Sequence, residues 1–155
     1  SLLTTSSMEL RRLAEERILT QLTQLSLGQK IMLARRGSTR IAAGLVLHGP
    51  EQVARVALNN SFLTQSQLLK TLAKETLPAR IVAAVASHDK WSGLVNVRVA
   101  LLRHPNISPD QVPALLPGLP RRDIEDLLGL SRLKENVRAH LQQELVHRRD
   151  SGELL

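Results

Sequence analysis

Apolar residues recur at three- and four-residue steps along almost the whole chain, which is the spacing of helices that each bury one face. The first such segment runs from Met8 to Gln24 and places Leu10 and Leu13 on one face, with Ser6 or Ser7 as its expected N-cap. Nine shorter segments follow, separated by Gly, Pro, Asn or Ser: 27–36, 39–48, 51–60, 65–75, 78–88, 94–104, 109–117, 121–130 and 134–149. Because apolar and polar residues never alternate over a useful length, the pattern predicts an all-α fold built from short helices.

The residues between these segments predict how the helices begin and end. Gly37 and Gly49 follow apolar segments, where a left-handed glycine commonly closes a helix. Ser108 stands before a proline and is the expected N-cap of the next segment, and Thr64 is expected to cap the helix after it. Pro113 and Pro117 favour a short or 3₁₀ piece within 109–120.

The chain repeats itself. RIAAGLVLH at 40–48 returns as RIVAAVASH at 80–88, an offset of 40. RVAL at 55–58 returns at 98–101, an offset of 43, and the loop that follows returns at an offset of 44. A period of about 40 to 47 residues with two or three helices is the length of a HEAT or armadillo repeat. The repeat predicts a short right-handed α-solenoid, since such units stack to share one core.

The expected organisation is a single domain over 1–155. Two repeat units fill 38–118, with N-terminal capping helices in 8–36 and C-terminal capping helices in 121–149. A four-helix bundle is the alternative all-α fold, but the number of short helices and the internal period disfavour it.

A family resemblance follows from the repeated residues. Val, Arg and Ala-Leu followed by Asn-Asn or His-Pro, and then by Thr or Ser-Pro, resembles bacterial HEAT-like repeats and the related leucine-rich repeat variant. The similarity extends from Leu27 to Arg148. It implies a helical-repeat fold and a binding role, and it brings no catalytic residue with it. The variant family is associated with a cysteine-bound cluster, for which this chain has no cysteine.

The amino-acid composition limits both the kind of core and the kinds of site that the protein can form. The sequence is 43% hydrophobic and 1% aromatic, so the core must be filled by aliphatic side chains. With no cysteine, the sequence excludes disulfides, thiolate metal sites and cysteine nucleophiles. No run of about 18 apolar residues and no secretory signal pattern occurs, so a cytoplasmic location is expected.

The charge is unevenly distributed. The net charge is +7, and residues 30–122 hold 13 Lys or Arg against 4 Asp or Glu, an excess of +9. An anionic protein surface or a nucleic-acid backbone would be attracted to this middle region, although solubility alone also explains a positive charge.

The candidate partner-binding residues are mostly basic: Arg35, Arg36, Arg40, Arg55, Arg80, Arg98, Arg103 and Trp91. Arg40 with Arg80, and Arg55 with Arg98, hold repeat-related places. They either line a concave binding face or serve the fold by capping carbonyls and pairing with acids. Trp91 is either an interface anchor or a residue buried under its loop.

No candidate for catalysis emerges. His48, His88 and His104 each end a predicted helix, where they are expected to cap the last carbonyls or to pack in the loop, and their spacing is not that of metal ligands. Phosphate-binding loops and nucleophile motifs are also missing from the sequence, so neither an enzyme nor a cofactor is expected.

Two functions therefore remain as hypotheses. The first is a protein-interaction scaffold that binds another protein or a peptide. The alternative is sequence-independent binding of a nucleic-acid backbone. A continuous basic stripe favours nucleic acid, whereas basic residues that are scattered or paired with acids favour a protein partner.

Overall fold

The protein is all-α, as the sequence predicts. The computed structural model describes the backbone of residues 2–152 and the side chains of residues 7–152, and this part contains no strand. Residues 1 and 153–155 of the predicted domain lie outside the described residues. The α-helices are α1 Leu2–Thr20, α2 Leu27–Arg36, α3 Thr39–His48, α4 Glu51–Leu58, α5 Gln65–Leu72, α6 Ala79–Ala86, α7 Val95–Leu102, α8 Arg121–Leu128 and α9 Glu135–Asp150. Short 3₁₀ turns lie at Leu22–Gln24, Trp91–Gly93, Pro109–Gln111 and Pro113–Leu115. No described helix is both long and apolar enough to cross a membrane.

The chain divides into two compact units. Unit 1 is Ser1–Thr71 and unit 2 is Leu72–Leu155. The expectation of a single domain over 1–155 stays a prediction.

Unit 1 is organised around α3, which packs against α1, α2 and α4. α1 begins earlier than predicted, so Ser7 lies inside the helix and is not its N-cap. The C-terminal part of α1 approaches α3 closely, since a Cβ added at Gly44 would lie 2.3 Å from Leu19 Cδ2. A larger residue at position 44 would require the Leu19 side chain to move. Further towards the N-terminus, Leu10 and Leu13 of α1 are exposed.

The glycines between the short helices of unit 1 act differently from the prediction. Gly37 and Gly49 have φ angles of −69° and −79°, so neither is a left-handed C-cap. An added Cβ would lie 2.5 Å from the carbonyl oxygen of Leu33 or of Leu45. Close approach of the backbone, and not a positive φ, is thus the reason for glycine at both positions.

Side-chain caps define several helix starts. Ser26 and Gln29 form a reciprocal capping box at α2. Thr64 Oγ1 accepts a hydrogen bond from Gln67 N, which confirms the cap predicted for α5. Ser108 occupies the N-cap position before Pro109, as predicted, but its side chain makes no capping bond. The two prolines behave as predicted, because the segment after Ser108 forms only 3₁₀ turns.

The core of unit 2 is aliphatic, as composition predicts, with one tryptophan added. Fully buried residues of successive helices include Ile81, Leu101, Ile124 and Leu141. The equivalent-looking Leu58 is buried in unit 1. Large aliphatic side chains on α6, α7, α8 and α9 thus supply apolar area that stabilises unit 2.

Five loops each place an apolar residue in the core at the same distance from the preceding helix. The fifth residue after the end of a helix is apolar and buried in five connections. These residues are Leu63, Leu77, Trp91, Ile107 and Leu133. Each loop therefore returns to the core before the next element begins.

Candidate functional site

Two of the predicted binding arginines form ion pairs. Arg40, near the start of α3, lies 3.5 Å from a carboxylate oxygen of Glu15 on α1. Arg55 on α4 lies 2.9 Å from Glu51 of the preceding turn and donates from both Nε and Nη2. Their charges are thus partly neutralised, and exposed pairs of this kind contribute little stability.

Arg98, the repeat partner of Arg55, has a different role. It is half-buried on α7, and its guanidinium donates to the carbonyl oxygens of Ser92 and Pro117. Arg98 therefore fastens two loops of unit 2, which is the structural role considered as the alternative for these arginines.

The remaining predicted arginines are exposed. Arg35 and Arg36 end α2, Arg80 lies in the first turn of α6, and Arg103 follows α7. Among the described residues, none of these four has an ion-pair partner. They retain their full charge at the surface.

Trp91 lies in the core of unit 2, with 1% of its surface exposed. Lys90 Nζ lies 4.4 Å from the centre of a Trp91 ring, a cation–π contact. Burial under the loop, the alternative considered for this residue, is what the structure shows. Trp91 offers a partner almost no surface in this conformation.

The strongest candidate binding surface in unit 1 lies on the outer face of α2. Met32 is 65% exposed, and Arg35 and Arg36 follow it at the helical spacing that places all three on one face. Phe62, 63% exposed, lies in the loop that Asn60 ties to the end of the same helix. We call Met32, Arg35 and Arg36 the α2 surface.

Asn60 fixes that loop. It is 3% exposed, and its Nδ2 donates to the carbonyl oxygens of Ala34 and Gly37, both at 2.9 Å. Its Oδ1 accepts a hydrogen bond from the backbone N of Phe62 at 2.7 Å. A single buried amide thus satisfies the end of α2 and shapes its own loop.

Unit 2 repeats this arrangement with other side chains. His104 Nε2 lies 3.0 Å from the carbonyl oxygen of Lys74, and Asn106 Nδ2 donates to the carbonyl of Leu77 at 2.8 Å. His104 Nδ1 accepts from Asn106 N at 3.0 Å, so Nε2 carries the proton and donates. His104 is 2% exposed. His104 therefore packs in its loop, one of the two predicted roles, and does not cap its own helix.

A third instance involves α9. Arg148 donates from Nη2 to the carbonyl oxygen of Leu116 at 3.0 Å and from Nη1 to that of Leu119 at 2.7 Å. The accepting carbonyls, 34 and 37, 74 and 77, and 116 and 119, recur at offsets of 40 and then 42 positions. We call these three sets of bonds the carbonyl ladder.

Sequence reasoning found the donors of this ladder only in part. His104 was a candidate and Asn60 lies in the repeated Asn-Asn motif, but neither was assigned these bonds. Arg148 was not singled out, and neither was Arg138, which donates outside the ladder to the carbonyls of Leu128 and Leu130. The available signal was weak, because a polar residue near a helix end is equally typical of an exposed turn.

The described residues offer no metal site, since no group of three or more His, Cys, Asp or Glu is placed to hold an ion. Comparison of the chain with models of protein families, with curated proteins and with solved structures found no match.

Proposed function

We propose that the protein is a non-catalytic scaffold that binds another protein through the surface of a HEAT- or armadillo-like α-solenoid. The carbonyl ladder supports the repeat, because its offsets of 40 and 42 lie within the period expected for such units. Stacked helical repeats expose long helix faces, and their common use is to bind partners.

The contacts that the candidate arginines make favour a protein as the partner. Arg40 and Arg55 are paired with acids, and Arg98 is committed to backbone carbonyls. Three of the seven candidate arginines are therefore not free cations. The repeat-related arginines are thus not a set of equivalent free cations, which favours a protein surface over a nucleic-acid backbone.

The α2 surface suggests the chemistry of that partner. Arg35 and Arg36 present two unscreened positive charges, and Met32 adds an exposed, flexible apolar side chain. Methionine adapts to irregular apolar surfaces, and arginine binds carboxylates in a fixed geometry. An acidic segment that carries an apolar residue complements this combination.

The test is a pull-down from lysate of the native host, run with and without nuclease. The bait is the wild-type chain or a variant with Arg35→Glu and Arg36→Glu. We expect a protein that is retained after nuclease treatment and lost with the double variant, because the variant replaces attraction for an acidic segment by repulsion.

A matched variant controls for net charge. Arg132→Glu with Arg149→Glu makes the same charge change at two exposed positions outside residues 30–122. This variant should retain the partner, and circular dichroism should show that both variants fold. Loss of every captured protein after nuclease treatment, or equal loss with both variants, would contradict the proposal.

The second candidate is backbone binding of DNA or RNA. The observation in its favour is the excess of +9 over residues 30–122, where Arg80 and Arg103 add exposed cations to those of α2. Such binding would rest on phosphate contacts, since a single Trp and a single Phe give no row of stacking side chains.

A further inference from the structure

Three loops of the protein share one turn, built on a side-chain acceptor. Asn60 Oδ1 accepts from the backbone N of Phe62, and His104 Nδ1 accepts from that of Asn106. In the third loop, His88 Nδ1 accepts from Lys90 N at 3.1 Å and from Trp91 N at 3.3 Å. An amide oxygen accepts at any ordinary pH, whereas an imidazole nitrogen accepts only when it carries no proton.

This geometry fixes the protonation state of His88. Two backbone N–H groups point at Nδ1, so Nδ1 must be the unprotonated nitrogen and the neutral ring carries its proton on Nε2. A proton added to Nδ1 removes both acceptor interactions and places an N–H against two other N–H groups. The turn that leads into Trp91 would then lose its cap.

The charges around His88 come from its own loop and from the elements packed against it. Burial lowers the pKa of His88 from its ordinary value of 6.5, Asp89 opposes this change, and Lys90 adds to it. On the adjoining helix α7, Arg98 donates from Nε to the carbonyl oxygen of Ser92 in the same loop. Burial is thus the main cause of the lowered pKa of His88, and the charges of Asp89 and Lys90 act on it in opposite directions.

We propose that His88 is an acid-sensitive cap, whose protonation releases the turn that holds Trp91 in the core of unit 2. Trp91 is 1% exposed, and its backbone N is one of the two groups that His88 accepts from. Loss of the cap exposes the Lys90–Trp91 pair, a cation beside a large aromatic ring. Acidification thus creates an aromatic surface that the neutral protein keeps buried.

The direction of the pH effect follows from the lowered pKa. The folded state prefers neutral His88, so the cap contributes its full stability above the unfolded value of 6.5. As the pH falls below that value, the unfolded or released turn binds the proton more readily. The contribution is lost between pH 6.5 and the lower pKa of the capped state.

Trp91 is the only tryptophan of the chain, which makes its fluorescence a direct reporter. The experiment measures the emission maximum and acrylamide quenching of the full chain from about pH 8 to about pH 4.5. Wild type should show a red shift and increased quenching, with a midpoint below 6.5. His88→Asn should abolish this transition, because asparagine supplies a permanent acceptor, as Asn60 does.

His147→Asn is the matched control, since it makes the same substitution at an exposed histidine of unit 2. It should leave the transition at Trp91 in place. Persistence of the transition in His88→Asn, or its loss in His147→Asn alone, would overturn the proposal.

A second measurement covers the case in which His88→Asn does not fold at neutral pH. Ring ¹⁵N chemical shifts of wild type should show an unprotonated Nδ1 on His88 near pH 7.5. They should also show that His88 titrates in step with Trp91 emission. A protonated Nδ1 at neutral pH, or a titration without change at Trp91, refutes the cap.

Discussion

Side chains that bond to backbone groups hold the loops of this protein. Asn60 makes three such bonds from a position that is 3% exposed. Because the bond from Asn60 to the carbonyl of Ala34 is buried, the cost of removing this amide exceeds the modest value of one exposed hydrogen bond.

Replacement of Asn60 by alanine tests this at the residue scale. Asn60→Ala should lower the free energy of unfolding of unit 1 by about 2–4 kcal/mol, because it leaves buried backbone groups unpaired. Urea denaturation followed by far-UV circular dichroism measures the change. Ser61→Ala, at the exposed neighbour, should stay within about 0.5 kcal/mol. Similar losses in both variants would show that the amide bonds have no special weight.

Some residues could be interpreted from the sequence and others not. Thr64 was predictable as a cap because its partner lies three positions away. Burial of Trp91 was foreseen as one of two alternatives, because a large aromatic side chain in a loop tends to pack. The role of Arg98 could not be chosen, since its acceptor on Pro117 lies 19 positions away and is a backbone atom. Backbone acceptors leave no side-chain pattern to find.

At the scale of helices, the apolar spacing predicted positions better than ends. The predicted segments 27–36 and 39–48 match α2 and α3 at both ends. The predicted 65–75 and 78–88 overshoot α5 and α6, which end at Leu72 and Ala86. The extra predicted residues, 73–75 and 87–88, form the turns that lead to the buried loop residues Leu77 and Trp91. An apolar pattern does not distinguish such a turn from a further helical turn.

Helix α9 is expected to hold the loop before α8 through Arg148. Arg148→Gln should lower the free energy of unfolding of unit 2 by about 1–3 kcal/mol, because two carbonyl bonds and the ion pair with Glu144 are lost together. Trp91 fluorescence during urea denaturation measures the change.

Arg149 provides the neighbouring control, since it is exposed on the same helix. Arg149→Gln should change the stability by no more than about 0.5 kcal/mol. If Arg149→Gln proved as costly as Arg148→Gln, the effect would belong to the net charge of α9 and not to the carbonyl ladder.

At the scale of the whole molecule, composition gave the aliphatic core and the positive charge, whereas the division into two units could not be foreseen. The internal repeat crosses the boundary between Thr71 and Leu72, so its periodicity contains no signal for that boundary. Likewise, the candidate arginines share one charge in the sequence, but only contacts reveal which of them are paired.

The net charge leads to a prediction about nucleic acid. As a scaffold, the protein should bind a random-sequence duplex no more tightly than about 10⁻⁵ M near 150 mM salt, the range of non-specific association. Fluorescence anisotropy at two salt concentrations measures this. Submicromolar binding at the higher salt, weakened by Arg-to-Glu changes at Arg35, Arg36 and Arg103, would favour the nucleic-acid alternative instead.

The carbonyl ladder also determines which substitutions the loops can tolerate. Its accepting side consists only of backbone atoms, and residues as different as Ala34, Lys74 and Leu116 occupy its first position. Its donors are an asparagine, a histidine with an asparagine, and an arginine. Substitutions in the accepting segments therefore do not by themselves remove a hydrogen bond of the ladder, and donors of different reach can replace one another. The same loop architecture can therefore persist while the amino-acid sequence that forms it diverges.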